Sequence, residues 1–400
     1  MNKQLFSAGL AVLLLSGTAQ AEEVFFEATG KLSGEFRGYF DEGKFSGQDY
    51  QTGTSFAIEP ELFWELNGGS DTVTFTPFYR VDQHDEERTH GDVRELSWIH
   101  VADDWELRTG LRRVFWGVTE FNHLVDVINQ TDAVEDSDGE DKLGQPMVNL
   151  SLVRDWGIVD LFILPGFRER TFAGNDGRLR SGLVVDTENA RYESNDGDQH
   201  IDTAVRWSQS FDLYDVGLYW FKGTNRDPRF ELGVNNAVPI LVPVYEQMDQ
   251  IGFDGQATIE NWLWKLELLW RDTSAEQYTA MQAGVEYTFY GVAESAVDLG
   301  VLAEYGWDER GENADASFQN DLFIGSRITL NDEASTEFLA GLGYDIDYQS
   351  HSLFAEASSR FGENWKISLD ARVFDAGDSK DPIVNIEQDD MVQLTADYYF

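Results

Sequence analysis

The chain has no cysteine among its 400 residues, and basic residues are scarce. Without cysteine, it cannot form a disulfide framework or a thiolate metal site. Lys and Arg number 29 against 73 Asp and Glu, which gives a formal net charge of −44. Nucleic-acid binding depends on neutralisation of phosphates by Lys and Arg, so we expect no nucleic-acid partner.

Long apolar runs are also missing. Beyond the start of the chain, no run approaches the ~18 apolar residues of a transmembrane helix. At the start, Lys3 precedes an apolar core over 5–15, and Ala19-Gln20-Ala21 has the A-x-A pattern. These features predict a secretory signal peptide over 1–21, because the core is too short for an anchor. The exported part, 22–400, is then a single domain.

Aromatic residues, in contrast, are abundant: the chain has 27 Phe, 15 Tyr and 12 Trp. A disordered acidic chain would be poor in such residues, so this chain folds. Export, the absence of a spanning helix and the aromatic content leave two classes open, a secreted soluble β-protein and a transmembrane barrel. No helical block or domain break interrupts the chain, which favours the barrel.

The C-terminus alternates apolar and polar residues to the last position. Val392, Leu394, Ala396, Tyr398 and Phe400 share one face of a strand. The segment resembles the closing strand of bacterial outer-membrane barrels, which ends on Phe with an aromatic residue two positions earlier. This resemblance implies an all-β, transmembrane, antiparallel up-and-down barrel. It also implies that the barrel-assembly machinery is a partner through the strand ending at Phe400.

The same alternation recurs along the chain in segments of about ten residues bounded by Gly, Asn or Asp. Bacterial barrels take even strand numbers, so sixteen and eighteen strands are both compatible with the pattern. The predicted strands are 24–40, 53–67, 71–82, 91–101, 104–114, 146–154, 157–167, 199–210, 213–223, 241–254, 261–272, 276–289, 296–306, 319–330, 334–346, 351–361, 363–374 and 389–400.

Three connections are too long to be simple turns: 115–145, 168–198 and 224–240. Connections of this length are usually functional or disordered. In a barrel of this size, which leaves an aqueous channel unless something fills it, we expect them to fold toward the lumen.

Acids and bases nearly balance on the polar faces of the predicted strands, so the excess negative charge lies mainly in the loops. Acidic mouths raise the local cation concentration and repel anions. The alternative is that this charge provides solubility and bridges to lipopolysaccharide through divalent cations. The predicted lumen wall includes Arg108, Arg206, Lys265, Glu267, Arg271, Arg327, Arg360, Asp370 and Arg372.

One segment, 105–132, resembles a narrower group. Its landmarks are Arg112, Arg113, Trp116, Gly117, Phe121, Asn129 and Asp132. It resembles alginate-export, carbohydrate-porin and uncharacterised porin families, in which the pattern L-R-x-G-R-Q-x-x-x-W-G precedes a segment that tucks toward the pore. Here Arg112-Arg113-Val114 stands where Gly-Arg-Gln is common. The resemblance implies the porin class and no particular solute.

Four further arginines lie close together in the second long connection. Arg forks bind carboxylate, sulfate and phosphate groups through paired hydrogen bonds, so the cluster predicts a basic constriction that contacts solutes. The alternative is ion pairing between loops, for example of Arg168 with Asp138 or of Arg180 with Asp186. The predicted constriction residues are Arg112, Arg113, Trp116, Arg168, Arg170, Arg178 and Arg180.

Catalytic motifs do not emerge from the six histidines. The chain has no Gly-x-Ser-x-Gly elbow and no His-Glu-x-x-His motif. The acidic stretch 136–141 fails the ligand register of an EF-hand. We therefore predict no catalytic residues, no metal site and no cofactor. A barrel enzyme would be revealed by alanine replacement of His84, His90 and His123, which a channel should tolerate.

Together these patterns predict a porin of the Gram-negative outer membrane, through which small polar, anionic or saccharide-like solutes diffuse passively. Its partners would be outer-membrane lipid, lipopolysaccharide and the transported solutes. A plugged structural or partner-binding barrel and an outer-membrane lipid or protein hydrolase remain as alternatives. The sequence specifies neither the solute nor the oligomeric state.

Overall fold

The computed structural model describes residues 24–136, 138–314 and 318–400. The predicted signal peptide, 1–21, lies outside the described residues. Within the described part of the chain, no helix is both long enough and apolar enough to span a bilayer. The described helices are short 3₁₀ turns at Asn67–Gly69, Thr187–Asn189, Gly197–Gln199, Val292–Glu294, Gly311–Asn313 and Pro382–Asn385.

The described residues form 21 strands, of which 18 make one closed sheet. In chain order the strands are β1 (Phe25–Tyr39), β2 (Thr52–Leu66), β3 (Asp71–Asp82), β4 (Gly91–Val101), β5 (Trp105–Arg112), β6 (Gln145–Arg154), β7 (Gly157–Pro165), β8 (Arg191–Tyr192), β9 (Ile201–Phe211), β10 (Tyr214–Thr224), β11 (Arg229–Asn235), β12 (Val238–Tyr245), β13 (Gln247–Ile259), β14 (Trp262–Thr273), β15 (Gln277–Phe289), β16 (Asp298–Asp308), β17 (Asn320–Thr329), β18 (Glu337–Asp345), β19 (His351–Phe361), β20 (Trp365–Asp375) and β21 (Met391–Tyr399).

The barrel closes between its first and last strands. β21 pairs antiparallel with β1 from Lys31 opposite Tyr399 to Tyr39 opposite Met391. Beyond that register, the backbone amides of Gly30 and Phe400 each donate to the other residue's carbonyl oxygen, at 3.0 and 3.1 Å. Closure leaves no free sheet edge, which is the condition for strands to cross a bilayer. The predicted antiparallel up-and-down barrel is confirmed, and it has eighteen strands rather than sixteen.

One predicted barrel strand, 241–254, is wrong as drawn. Its first part belongs to β12, which pairs with β11 and with β8 in a separate three-stranded sheet. The barrel resumes only at Gln247, with β13. Pro239 and Pro243 explain the difference, because a proline cannot donate to a ladder and is tolerated best outside the interior of a closed sheet.

The two faces of the barrel strands differ sharply in exposure. In β10, Leu218 and Trp220 are 49% and 41% exposed, whereas Tyr219 and Phe221 between and beside them are 2% and 0% exposed. An apolar outer surface around a closed barrel matches the acyl chains of a bilayer. One group of exposed aromatic side chains lies near one end of the barrel, here called the aromatic end, as in an interfacial girdle: Phe26, Trp98, Trp156, Phe211, Trp262, Phe289, Phe361, Trp365 and Phe400.

The two ends of the barrel also differ. At the aromatic end, β strands are joined by brief turns such as 155–156, 212–213 and 260–261. At the opposite end lie the long connections, the largest of which are 113–144 and 166–200. Short turns at one end and long loops at the other are typical of outer-membrane barrels.

Candidate functional site

Residues 113–144, here called the crossing loop, join β5 to β6 and form the centre of the site. Its residues Val125, Val127 and Ile128 are 0–2% exposed. They belong to one apolar cluster with Phe162 of β7 and Phe221 of β10. Both of these aromatic side chains lie on the inner face of the barrel wall. One side of the crossing loop is therefore packed against that inner wall.

Glu267 of β14 holds the loop at a distant part of the wall. Its Oε1 accepts hydrogen bonds from the amides of Val118, at 2.6 Å, and Thr119, at 3.0 Å, and from the Thr119 hydroxyl at 2.7 Å. Its Oε2 accepts from the amide of Val125 at 3.2 Å. The carboxylate is fully buried. A buried charge requires such partners, so Glu267 is an anchor for the loop backbone.

Glu304 of β16 provides a second anchor. It accepts hydrogen bonds from the amides of Glu120, at 2.9 Å, and Phe121, at 3.2 Å. The Glu120 side chain then forms ion pairs with Arg327, at 2.6 Å, and Lys265, at 3.5 Å. Burial tends to raise the pKa of Glu120, but the two cations outweigh burial and keep its pKa below the ordinary value.

Aromatic packing fixes the same bend of the loop. The Phe121 ring stacks on Phe323 of β17, with centroids 4.8 Å apart, and meets Phe354 of β19 edge-on at 5.2 Å. This aromatic contact adds apolar packing next to the hydrogen bonds that Glu304 accepts from the loop.

The returning part of the loop binds the strands near the start of the chain. Asp132 pairs with Arg94 of β4, and Glu135 pairs with Arg80 of β3 at 2.6 Å. Further along, Arg372 of β20 lies 3.0 Å from a carboxylate oxygen of Asp138. Strands as far apart in the barrel as β4, β14 and β20 thus touch one loop through their inner faces.

Two cavities of about 300 Å³ or more lie beside the crossing loop. The first, here called the acidic cavity, has a volume of about 340 Å³. Its charged lining consists of Glu120, Asp136, Asp138, Glu337, Glu356, Asp370, Arg327, Lys366 and Arg372. The second, here called the arginine cavity, has a volume of about 310 Å³. Its charged lining consists of Arg108, Arg112, Arg113, Arg206 and Asp160.

Three of the predicted constriction residues, Arg112, Arg113 and Trp116, meet at the arginine cavity. Trp116 is 5% exposed, and the Arg206 guanidinium lies 5.0 Å from its ring centroid. The Nε and Nη1 atoms of Arg112 are buried and have no hydrogen-bond partner among the described residues. The stretch Arg112–Trp116 therefore contributes both charge and a rigid aromatic surface.

The other four arginines lie elsewhere and bind loops together. Arg168 pairs with Asp92 at 2.8 Å and donates to the Gly144 carbonyl at 3.0 Å. Arg170 pairs with Asp227 at 2.7 Å. The contacts of these two arginines favour the loop-pairing alternative, with partners other than those suggested from sequence.

Arg178 and Arg180 are also engaged by protein groups. Arg178 pairs with Asp389, donates to the Tyr50 carbonyl at 2.9 Å and lies 4.0 Å from the Tyr39 ring centroid. Arg180 donates to the Asn175 carbonyl at 3.0 Å. The structure does not bring either residue to the arginine cavity.

The remaining predicted wall residues are paired as well. Arg206 binds Asp254 through two hydrogen bonds of 2.6 and 2.8 Å. Arg271 lies 2.9 Å from Asp227, in the connection that follows β10. Arg360 lies over the Tyr399 ring at 5.4 Å. Arg108 hydrogen-bonds to Asn149 and Ser151, and Asp370 pairs with Arg372 at 3.1 Å.

Sequence reasoning missed a buried ion-pair network on β1, β3 and β4. The Glu35 carboxylate forms ion pairs with the guanidinium groups of Arg88, at 3.0 Å, and Arg80, at 3.3 Å. Arg94, 3% exposed, belongs to the same network. The available signal was one charged residue at an inward position of each of these strands: Glu35 in β1, Arg80 in β3 and Arg94 in β4.

His90, Asp132 and Glu135 place potential ligand atoms within 4.8 Å of one another. Both carboxylates already bind guanidinium groups of Arg94 and Arg80, so the arrangement suits ion pairing better than a metal ion. Burial lowers the pKa of His90, but the neighbouring Asp132 and Glu135 carboxylates outweigh burial and raise that pKa.

No family model and no curated protein matches the sequence. Solved structures do match. A BenF-like porin from Pseudomonas fluorescens Pf-5 shares 7% identity with a TM-score of 0.55, over 94% of this chain and 98% of its own. Acinetobacter baumannii OccAB4 shares 10% identity with a TM-score of 0.54, over 95% of this chain and 99% of its own.

Escherichia coli Wzi, titled a carbohydrate-binding β-barrel involved in group 1 capsule assembly, shares 9% identity with a TM-score of 0.53. That alignment covers 92% of this chain and 84% of Wzi. At these identities the likeness establishes the fold. The protein is an outer-membrane-type β-barrel, and its fold is that of the porins.

Proposed function

We propose that the protein is an outer-membrane channel through which small polar solutes diffuse passively, and that the crossing loop narrows its lumen. The observation that carries the proposal is the arrangement of that loop. Glu267 and Glu304 tie it to the far wall, while an open cavity lies beside it at each of two parts of the wall. A wide barrel with an internal loop and polar cavities suits diffusion of hydrated solutes.

The charged linings support small polar or anionic solutes. Acidic side chains outnumber basic ones in the lining of the acidic cavity, whereas basic side chains outnumber acidic ones in the lining of the arginine cavity. A passing solute would meet both. Net acidic loops at the mouth would favour cations at long range, an effect that salt screens. The proposal includes no catalytic step and no cofactor.

The proposed location is the outer membrane of a Gram-negative cell, reached through the signal peptide predicted over 1–21. The short turns would then face the periplasm, and the long acidic loops would face lipopolysaccharide outside. Insertion into a bilayer is supported by the exposed apolar surface and its aromatic girdle, and the orientation by the short turns at one end and the long loops at the other.

The C-terminal strand is the proposed contact with the barrel-assembly machinery. Phe400 is 51% exposed and lies at the barrel seam. Replacement Phe400→Ala should lower the amount of folded barrel in outer membranes of cells several-fold, while refolding in detergent stays near normal because the backbone pairing with Gly30 persists. Trp365→Ala, a neighbouring girdle change, is the control. Equal amounts of folded Phe400→Ala and control barrel in cells would reject the contact.

A second candidate is a plugged barrel that binds a partner or a carbohydrate. The specific observation in its favour is the number of ion pairs that tie the crossing loop to the wall, such as those of Arg94 and Arg372. The description of Wzi as carbohydrate-binding adds a fold-level analogy only. An outer-membrane hydrolase has no comparable support from a specific observation.

Liposome swelling separates these candidates. Vesicles containing the refolded protein should swell in isosmotic pentose, more slowly in a disaccharide and least in a trisaccharide. His84→Ala, His90→Ala and His123→Ala variants should retain the swelling, since no histidine takes part in diffusion. A folded barrel that gives no swelling with any sugar would reject the channel and favour the plugged barrel.

A further inference from the structure

Two of the four arginines that line the arginine cavity form no salt bridge among the described residues. Arg206 is satisfied by its two hydrogen bonds to Asp254. Arg108 binds Glu106 and lies 3.8 Å from Asp160. Neither of the two remaining arginines of the lining has a salt-bridge partner within the parts of the chain that the structure describes.

Arg112 is the more telling of the two unpaired arginines. Its guanidinium is half-buried, and two of its nitrogen atoms are shut off from solvent without an acceptor. Burying a charged donor without a partner costs free energy, and native proteins seldom leave such groups unsatisfied. Arg112 lines the arginine cavity, so an anion held there would lie beside a guanidinium that forms no salt bridge among the described residues.

The backbone holds this part of the chain rigidly. The Asn129 side-chain amide donates to the Arg112 carbonyl, and its Oδ1 accepts from the Val114 amide, both at 2.8 Å. Gly110 has φ +122°, and a Cβ there would meet the Leu96 carbonyl oxygen at 2.1 Å. The backbone at the end of β5 thus has a fixed path, which fixes the positions of the Cα atoms of Arg112 and Arg113.

Charge and size indicate the ligand. Arg112 and Arg113, which form no salt bridge among the described residues, match two negative charges, whereas a monocarboxylate would leave one of the two without a partner. Arginine forks bind phosphate and sulfate oxygens through paired, charge-assisted hydrogen bonds. A volume of about 310 Å³ lies in the range of small-molecule pockets, so a small organic group can accompany the anion.

We propose that the arginine cavity is a binding site for a doubly charged oxyanion, a phosphate or sulfate group, held by Arg112 and Arg113 beside the crossing loop. The site rests on the proposed channel function in one respect: it would be occupied by solutes on their way through the lumen. The exposed Phe115 ring and the buried Trp116 flank the anion and contribute apolar surface for the body of a phosphate ester.

Block of current tests the site. In a bilayer bathed in potassium chloride at about pH 8, where phosphate is mainly doubly charged, inorganic phosphate should reduce the channel current in a saturable way. Arg112→Gln should raise the half-blocking concentration at least about tenfold, the loss expected for one charge-assisted pair. Arg113→Gln, at an exposed position, should raise it less. Arg154→Gln, at the exposed last residue of β6, which pairs with Asp104, is the matched control.

Two further arms identify the source of the anion. Glycerol 3-phosphate and glycerol are compared with inorganic phosphate: block by both phosphates supports a site for the group itself, and block by the ester alone supports an organic phosphate. Equal block of wild type and Arg112→Gln, or no block of a conducting wild type, would overturn the site and leave the channel intact. If the folded barrel does not conduct, the proposed function fails, and titration calorimetry with phosphate still decides the site, since Arg112→Gln must then weaken binding.

Discussion

At the scale of single residues, buried carboxylates of the wall act as fixed acceptors for the backbone of the crossing loop. Glu267 is the clearest case, because one fully buried side chain accepts four hydrogen bonds. Hydrogen bonds to a charged group contribute ~1.5–3 kcal/mol each, more than those between neutral groups. The position of the loop therefore depends on a few identifiable side chains.

Replacement Glu267→Ala should release the loop from the far wall. Removing one partner of a buried charged interaction costs roughly 3–5 kcal/mol. The docked conformation of the crossing loop should therefore be much less populated in this variant. Single-channel recordings should show larger and noisier currents. Glu286→Ala, which alters a neighbouring strand at a side chain that gives no hydrogen bond or ion pair to the loop among the described contacts, is the control. Identical records for both variants would refute the anchoring role.

Arg178 should be equally critical for the long loops. Its buried guanidinium joins three of them through Asp389 and through the carbonyls of Tyr50 and Gln388. Arg178→Ala should weaken the packing of residues 174–181 by roughly 3–5 kcal/mol, which is on the order of a hundredfold or more in amide exchange rate.

The control for Arg178 is Arg191→Ala, which removes an ion pair between largely exposed side chains. Exposed pairs contribute ~0–1 kcal/mol. Hydrogen exchange followed by mass spectrometry should therefore leave segment 174–181 protected in the control. Comparable exchange in the two variants would contradict the role given to burial.

Asp141 makes the crossing loop sensitive to pH. Burial, together with the nearby carboxylates of Glu135, Asp138 and Asp136, raises its pKa to about 7. The folded protein then binds more protons than the unfolded chain between the ordinary pKa and about 7, so stability is lost as pH rises through that window. The raised pKa of His90 has the same sign, because its favourable charge is lost on the alkaline side.

Fluctuations of the crossing loop should consequently increase between about pH 5 and pH 8. If one pKa unit of the Asp141 shift is coupled to the docking of the loop, the population of the undocked loop should rise roughly tenfold. Asp141→Asn, which mimics the protonated acid, should reduce that dependence in current-noise spectra. Glu42→Gln, at an exposed position outside the crossing loop where no ion pair of the side chain is described, is the control. A wild type whose noise is greater at acid pH would contradict the sign.

At the scale of elements, the crossing loop is an insertion into a barrel that closes without it. β5 and β6 pair directly with each other from Trp105 opposite Leu152 to Arg112 opposite Gln145. Replacing 115–142 with a short Gly-Ser turn should therefore preserve folding and increase conductance several-fold, because the obstruction is removed.

The hairpin of β11 and β12 offers a matched deletion, since it lies in a separate sheet outside the barrel ladder. Replacing 230–243 with a turn should change conductance little. Heat-modifiable migration in electrophoresis confirms that both deletions are folded. Unchanged conductance without the crossing loop would mean that the loop does not narrow the path.

The elements also show what sequence can and cannot give. The alternation of apolar and polar residues predicted β14 and β20 and their inward faces correctly. In a barrel strand, one face meets lipid and the other the lumen, so apolar residues recur at every second position. The alternation could not separate β12 from β13, because the single residue Glu246 lies between them and only Pro239 and Pro243 signal the change. Nor could it assign partners to Arg168 or Arg178, because their acids are distant in sequence and are brought near only by loop packing.

At the scale of the whole molecule, an apolar exterior, closed hydrogen bonding and a charged interior are consequences of one pattern repeated eighteen times. The seam between β1 and β21 completes that pattern. The large negative charge of −44 is offset within the wall by ion pairs such as Arg206 with Asp254 and Arg372 with Asp370. The interior is thus structured by ion pairs and still contains open cavities.

The central proposal is that small polar solutes diffuse through the barrel past the crossing loop. Single-channel recording of the refolded mature chain in a planar bilayer, under a potassium chloride gradient, tests it most directly. The account predicts stable conductance steps, with a reversal potential that shows whether the arginine cavity or the acidic loops dominate selection. A correctly folded, heat-modifiable barrel that gives no conductance steps would contradict the account.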